Sequence, residues 1–225
     1  MTSLADLAWP DVPEHGLVVM PLGSTEQHGP HLPLSTDTLI AAELAGRLCA
    51  ARSAQCVLGP TIPVGASGEH QGFAGTLSIG TEALRHLLVE LVRSAVHSFA
   101  GVVLVNGHGG NHQAVGSAVE LLCEQGHRVL SWSPALPRGG DHHAGRTETS
   151  VLMAIAAHLV ATERMVPGNT TPLVQLLPEL RRGGVSSVSP SGVLGDPVGS
   201  TATEGHALMA EWTQDLLASF DRWAG

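Results

Sequence analysis

The chain has 225 residues, 43% of them hydrophobic, with a formal net charge of -9 from 11 basic and 20 acidic side chains. Such a length and composition suit one soluble domain with a sizeable core, and the acidic balance argues against nucleic acid or anionic membrane as the main partner. Lysine and tyrosine are both absent, which removes Schiff-base chemistry, a Walker phosphate loop and any phenolic nucleophile.

Cys49, Cys56 and Cys123 form no CxxC pair and read as reduced, mostly buried thiols, with cytoplasmic as the expected location. Met1 to Glu14 has no apolar signal core, and no apolar run is long enough to span a membrane.

In chain order, His15 to Ser24 reads as a short apolar strand running into turn residues. The stretch from Glu26 to Asp37 then packs two carboxylates and two imidazoles (Glu26, His28, His31 and Asp37) around a glycine and two prolines. Thr38 to Arg52 has helical apolar spacing, with Thr36 or Asp37 placed to cap it. The polar cluster therefore sits on a strand-to-helix crossover, where open α/β sheets place their ligands. Carboxylate with imidazole suits Zn²⁺, Mn²⁺ or Fe²⁺.

Ala54 to Val64 reads as a second strand, and Gly65 to Gly75 as a glycine-rich loop carrying Glu69 and His70. Thr81 to Ala100 is the clearest helix, its Leu84, Leu87, Leu88, Leu91, Val92 and Val96 following a 3.6 period behind a Thr81 cap. Gly101 to Val105 is an apolar strand of the kind buried on both faces of a parallel sheet. It runs into Asn106-Gly-His-Gly-Gly-Asn111, where the glycines leave room for a ligand to approach the backbone beside His108.

A helix over Gln113 to Gln125, a strand over Arg128 to Trp132 and a helix over Thr147 to Leu159 follow, the last opened by Asp141-His-His-Ala-Gly145. Val166 to Asp196, rich in Pro, Gly, Ser and Thr, reads as surface loop, and Thr203 to Trp223 as a closing helix. Strands alternating with helices imply one three-layer α/β/α domain over residues 1–225 around a mostly parallel sheet. All three polar clusters then fall on one sheet edge.

The ordered motifs Glu-x-His-Gly-Pro-His-Leu-Pro-x-x-Thr-Asp, Asn-Gly-His-Gly-Gly-Asn and His-Ala-Gly-x-x-Glu-Thr-Ser resemble the creatininase (creatinine amidohydrolase) family from about Leu17 to His206. Gly68 to Gly80 and Ser189 to Pro197 are most similar to the branch of peptidases in mycofactocin biosynthesis, which trim a modified precursor peptide at its carboxyl end.

The resemblance implies two divalent metals per subunit (Zn²⁺, with Fe²⁺ or Mn²⁺ at one position). Glu26, Asp37 and His108 would hold one; His28, the bridging Asp37 and Glu148 the other. Glu148 replaces a family glutamate whose position here is Gly110. A water bridging two such metals would be a hydroxide nucleophile near neutral pH.

His143 would shuttle the proton, with His142 able to exchange roles with it. His70 is a candidate for substrate contact, His31 for support of His28, and Gly109 and Gly110 for backbone N–H groups facing an oxyanion. Arg146 would grip a substrate carboxylate or pair with Glu148 or Asp141. The reaction implied is release of the modified Val-Tyr end of the precursor. The alternatives are hydrolysis of a cyclic amide such as creatinine, or a non-catalytic metal-binding scaffold for the peptide. A homo-oligomer, hexamer or octamer, is implied as well, with Trp132, Trp212 and Trp223 as weak support.

Overall fold

The computed structural model describes residues 2–135 and 141–225. Four strands form its sheet: β1 (Leu17–Leu22), β2 (Cys56–Leu58), β3 (Gly101–Asn106) and β4 (Val129–Trp132), in the order β2-β1-β3-β4 and all parallel. β1 and β3 are buried along their whole length, which is why they read as unbroken apolar runs.

Side chains alternate between the two faces. Leu17, Val19, Val103 and Val105 pack beneath α1 (Thr36–Ala51), α4 (Arg146–Ile155) and α6 (Ala202–Ala224), against Leu44, Leu48, Leu152, Met209 and Phe220. Val18, Met20, Leu22, Val102 and Leu104 face the other way, onto Leu84, Leu88 and Val92 of α2 (Thr81–Ala95) and Ala118 and Leu122 of α3 (His112–Glu124). The chain leaves β1 toward β2 and β3 toward β4, in opposite directions. Their adjacent carboxyl ends are the switch point at which such sheets open a crevice.

Several boundaries differ from the sequence reading. The strand expected over Ala54 to Val64 shrinks to Cys56–Leu58, because Pro60 and Pro63 have no N–H to give; beyond it only Ile62 bridges to Leu22. Neither expected helix cap forms. Gly80 occupies the cap of α2, and Asp37 lies inside the first turn of α1, its carboxylate committed to Ser24 and two histidines rather than to the helix N–H groups.

The largest correction concerns Val166 to Asp196. It contains α5 (Leu173–Gly183) and buries Leu176, Val185, Val193 and Leu194. Leu173, Leu176, Leu177 and Leu180 have helical spacing, but Pro178 masks it in sequence; the proline sits on the exposed side of α5, where it costs a hydrogen bond without spoiling the packed face. Trp132 and Trp212 are spent within the chain, buried and bonded to Asp215 Oδ2 and Ala135 O, while Trp223 stacks on Arg128. No helix among the described residues is long and apolar enough to cross a membrane.

Candidate metal centre

The turn after β1, the start of α1 and the turn after β3 bring three acid–imidazole contacts together. His28 Nε2 lies 3.1 Å from Asp37 Oδ1, His108 Nδ1 3.1 Å from Asp37 Oδ2, and His108 Nε2 3.1 Å from Glu26 Oε2. Glu148, on the first turn of α4, approaches His28 Nε2 to 3.9 Å. Glu26, His28, Asp37 and His108 are all buried. Ala144, held at φ 52°, turns its N–H back onto Glu148 Oε2 at 2.5 Å. A non-glycine residue there carries local strain, which the surrounding contacts hold in place.

Three carboxylates converging out of water demand positive charge. Without a cation the imidazoles supply it. Burial opposes protonation of His28, but the Asp37 carboxylate beside it raises the ring to about 10; His108, bonded to Asp37 and close to Glu26, is raised to about 9 despite its burial. Asp37, between the two, stays well below the ordinary carboxylate range although burial works against it. Glu26 goes the other way, pushed up to about 7 by burial and by the charge of Asp37. Burial also raises Glu148.

Both carboxylate oxygens of Glu26 are buried without an aligned hydrogen bond, although imidazoles stand 3.1 and 3.2 Å away. A buried acceptor left so costs free energy, and a cation in place of the imidazole protons would satisfy it. Ligand atoms of Glu26, His28 and Asp37 fall within 4.8 Å of one another, as do those of His28, His143 and Glu148. The donor set fits a divalent metal of the zinc or manganese kind.

A cavity of about 330 Å³ opens over the cluster, walled on one side by Asp37, His70, His108, Gly109, Gly110 and Glu148. The facing wall is Leu173, Leu177 and Leu180 of α5 with Val185 and Leu194. The sequence reading assigned these residues no role. Gly110 is required by space alone: a Cβ there would lie 2.3 Å from His108 Nε2 and 2.6 Å from Glu69 Oε1. Glu69 itself, given no role beyond its place in the glycine-rich loop, stands 3.6 Å from His108 Nε2.

A family description, "Creatininase: Creatinine amidohydrolase", matches residues 5–220. The chain belongs to the creatininase family. It is a hydrolase by that membership. It is 52% identical over 223 residues to the mycofactocin precursor peptide peptidase of Mycobacterium ulcerans (strain Agy99), covering 96% of this chain and 86% of that one. It is 50% identical over 211 residues to the protein of the same name from Mycolicibacterium smegmatis (strain ATCC 700084 / mc(2)155), covering 92% and 85%.

Among solved structures, "Creatininase Mn" superposes with a TM-score of 0.78 at 22% identity over 98% of both chains. A mutant creatininase of the Zn-Zn type superposes with a TM-score of 0.78 at 21% identity, over 99% of this chain and 98% of that one. At this identity the superpositions establish the creatininase fold.

The structure brings Glu26, His28, Asp37, His108, His143 and Glu148 into one place, with His70 beside them and Gly109 and Gly110 at the rim. It separates the adjacent histidines that sequence could not: His143 is buried with Nδ1 3.8 Å from Glu26 Oε1, whereas His142 is exposed. His31 hydrogen-bonds Thr149 Oγ1 at 2.9 Å. Arg146 is not brought in. Its guanidinium pairs with Glu204 on α6 at 2.9 Å, and neither acid considered from sequence takes that place; only its backbone N–H meets Asp141. Gln27, whose amide touches both His70 and His143, was missed altogether. Its place between two ligand-type residues was the only sequence signal available.

Proposed function

We propose that this protein is a two-metal peptidase that releases the modified Val-Tyr dipeptide from the carboxyl end of the mycofactocin precursor peptide. The observation that carries this reading is the buried Glu26–Asp37–His108–His28 cluster, with an unsatisfied carboxylate at its centre, in a chain about half identical to proteins named mycofactocin precursor peptide peptidase. Glu26, Asp37 and His108 would hold one metal; His28, Asp37 and Glu148 would hold the other, Zn²⁺ at both or Fe²⁺ or Mn²⁺ at one. Bound there, divalent metal supplies Lewis acidity that activates water and polarises an amide carbonyl.

The chain's own groups do the rest. His143, buried with Nδ1 3.8 Å from Glu26 Oε1, would accept a proton from the attacking water and return it to the departing amine; burial keeps its ring below the ordinary imidazole range, so it starts neutral. Gly109 and Gly110 offer backbone N–H groups where oxyanion charge develops. The leucine wall of α5 offers an apolar surface for the valine and tyrosine-derived side chains of the leaving fragment and excludes water from the site. A small polar ring such as creatinine would leave that wall uncovered.

The test is chromatography of the products from modified precursor peptide and from creatinine, each with Zn²⁺ or Fe²⁺. Release of the dipeptide alone supports the proposal. Conversion of creatinine with the peptide left intact overturns it.

A further inference from the structure

Gln27 is buried between Glu26 and His28, and its amide orientation is settled by two groups that have no choice of role. The Gly29 N–H donates to Oε1 at 2.8 Å, and the Gly192 carbonyl accepts from Nε2 at 3.1 Å. Nε2 is therefore the NH₂ end, with two protons to give. Gly192 permits this seating because it has no Cβ; one there would fall 1.9 Å from Gln27 Oε1.

The NH₂ group lies 2.9 Å from His70 Nδ1 and 3.0 Å from His143 Nε2. His143 Nε2 also lies 2.7 Å from the Gln27 backbone carbonyl, which can only accept. That nitrogen must carry a proton, so it takes none from the amide. The two amide protons then go to Gly192 O and His70 Nδ1, and the count closes.

We infer that Gln27 is a positioning residue that sets both imidazoles, its amide holding His70 and its backbone carbonyl holding His143 as Nε2–H tautomers. The two rings face the carboxylates by different edges. His70 turns Nε2 toward Glu26 Oε1 at 3.2 Å, and so presents a proton. His143 turns Nδ1 toward the same oxygen at 3.8 Å, and so presents a lone pair. By distance alone Glu26, His70 and His143 could form a metal-ligating triad. The tautomers remove His70 from that set and leave His143 as the ring free to take a proton.

The catalytic consequence rests on the peptidase reading; the tautomer assignment does not. The experiment is a long-range ¹H–¹⁵N correlation spectrum of zinc-loaded protein carrying ¹⁵N-histidine, with the two rings assigned from His70→Asn and His143→Asn spectra. Both rings are expected to be neutral and protonated at Nε2. In Gln27→Glu, whose carboxylate has no proton to give, His70 is expected to switch to its Nδ1–H form while His143 keeps its own. The same variant should lose about tenfold or more in kcat on the precursor peptide, with KM within about twofold.

An Nδ1-protonated or zinc-bound His70 in the unmodified protein overturns the inference, and so does a His70 tautomer unmoved by Gln27→Glu. The unmodified spectrum decides the first point even if the variant does not fold. Tautomers as stated in a protein that leaves the peptide intact would sink the peptidase reading alone.

Discussion

His108 and Asp37 meet at 3.1 Å, Nδ1 to Oδ2, although 71 positions of sequence numbering separate them (108 less 37). The contact joins the end of β3 to the first turn of α1 and makes Asp37 the acid shared by both halves of the cluster. On the two-metal proposal, Asp37→Asn should therefore empty both positions together. Metal content after gel filtration is expected to fall from two equivalents to below one, and peptide turnover by about 100-fold or more. Retention of two equivalents would show that Asp37 is no shared ligand.

Metal should also stabilise the fold, because cation binding relieves the unsatisfied Glu26 carboxylate. Added Zn²⁺ is expected to raise the melting temperature in a concentration-dependent way, by the equivalent of about 4 kcal/mol at a thousandfold excess over Kd. In Glu26→Gln the metal-free protein should melt no lower than the parent, since a buried acid is gone, and most of the zinc response should disappear. Calorimetry with and without chelator reads both effects.

His31 gives the acid limb of the stability profile. Burial, helped by the charge on His28, lowers it from an ordinary 6.5 to about 4. The folded form resists the proton that the unfolded chain accepts, so this contribution is whole above about pH 6.5 and drains away as pH falls toward 4. Its size is at most about 3 kcal/mol. Urea midpoints at pH 7 and pH 5 should lie closer together in His31→Asn than in the parent. An equal spacing would refute the assignment.

The cysteines divide sharply. Burial pushes the Cys49 thiol up to about 12 and the Cys56 thiol up to about 11, while Cys123 is exposed on α3. Brief treatment of native protein with iodoacetamide at pH 8 should label Cys123 alone, and all three after denaturation. Peptide mass mapping distinguishes the sites.

A side chain outside the site and one lining its cavity should respond differently. Arg146→Ala breaks a half-exposed, solvent-screened pair with Glu204 and is expected to leave the urea midpoint nearly unchanged, with the KM for peptide within about twofold. Leu177→Ala strips the cavity wall and should raise that KM about tenfold at unchanged metal content. A large KM effect from Arg146→Ala would restore the carboxylate-gripping role considered from sequence.

The layered architecture and the sheet edge that carries the polar clusters are legible in one dimension. Apolar runs such as Gly101 to Val105, amphipathic helices such as α2, and glycine-rich exits such as Asn106 to Asn111 are local patterns, and local patterns survive in one dimension. Folding in three dimensions selects which of two adjacent histidines turns inward, pairs Arg146 with Glu204, and sets α5 as a cavity wall despite Pro178. It also brings Gln27 to His70, His143 and Gly192 at once. Each of these is a contact between residues far apart in the chain or a matter of which way one ring faces. Burial and hydrogen-bond satisfaction settle such questions, and both exist only once the layers have packed.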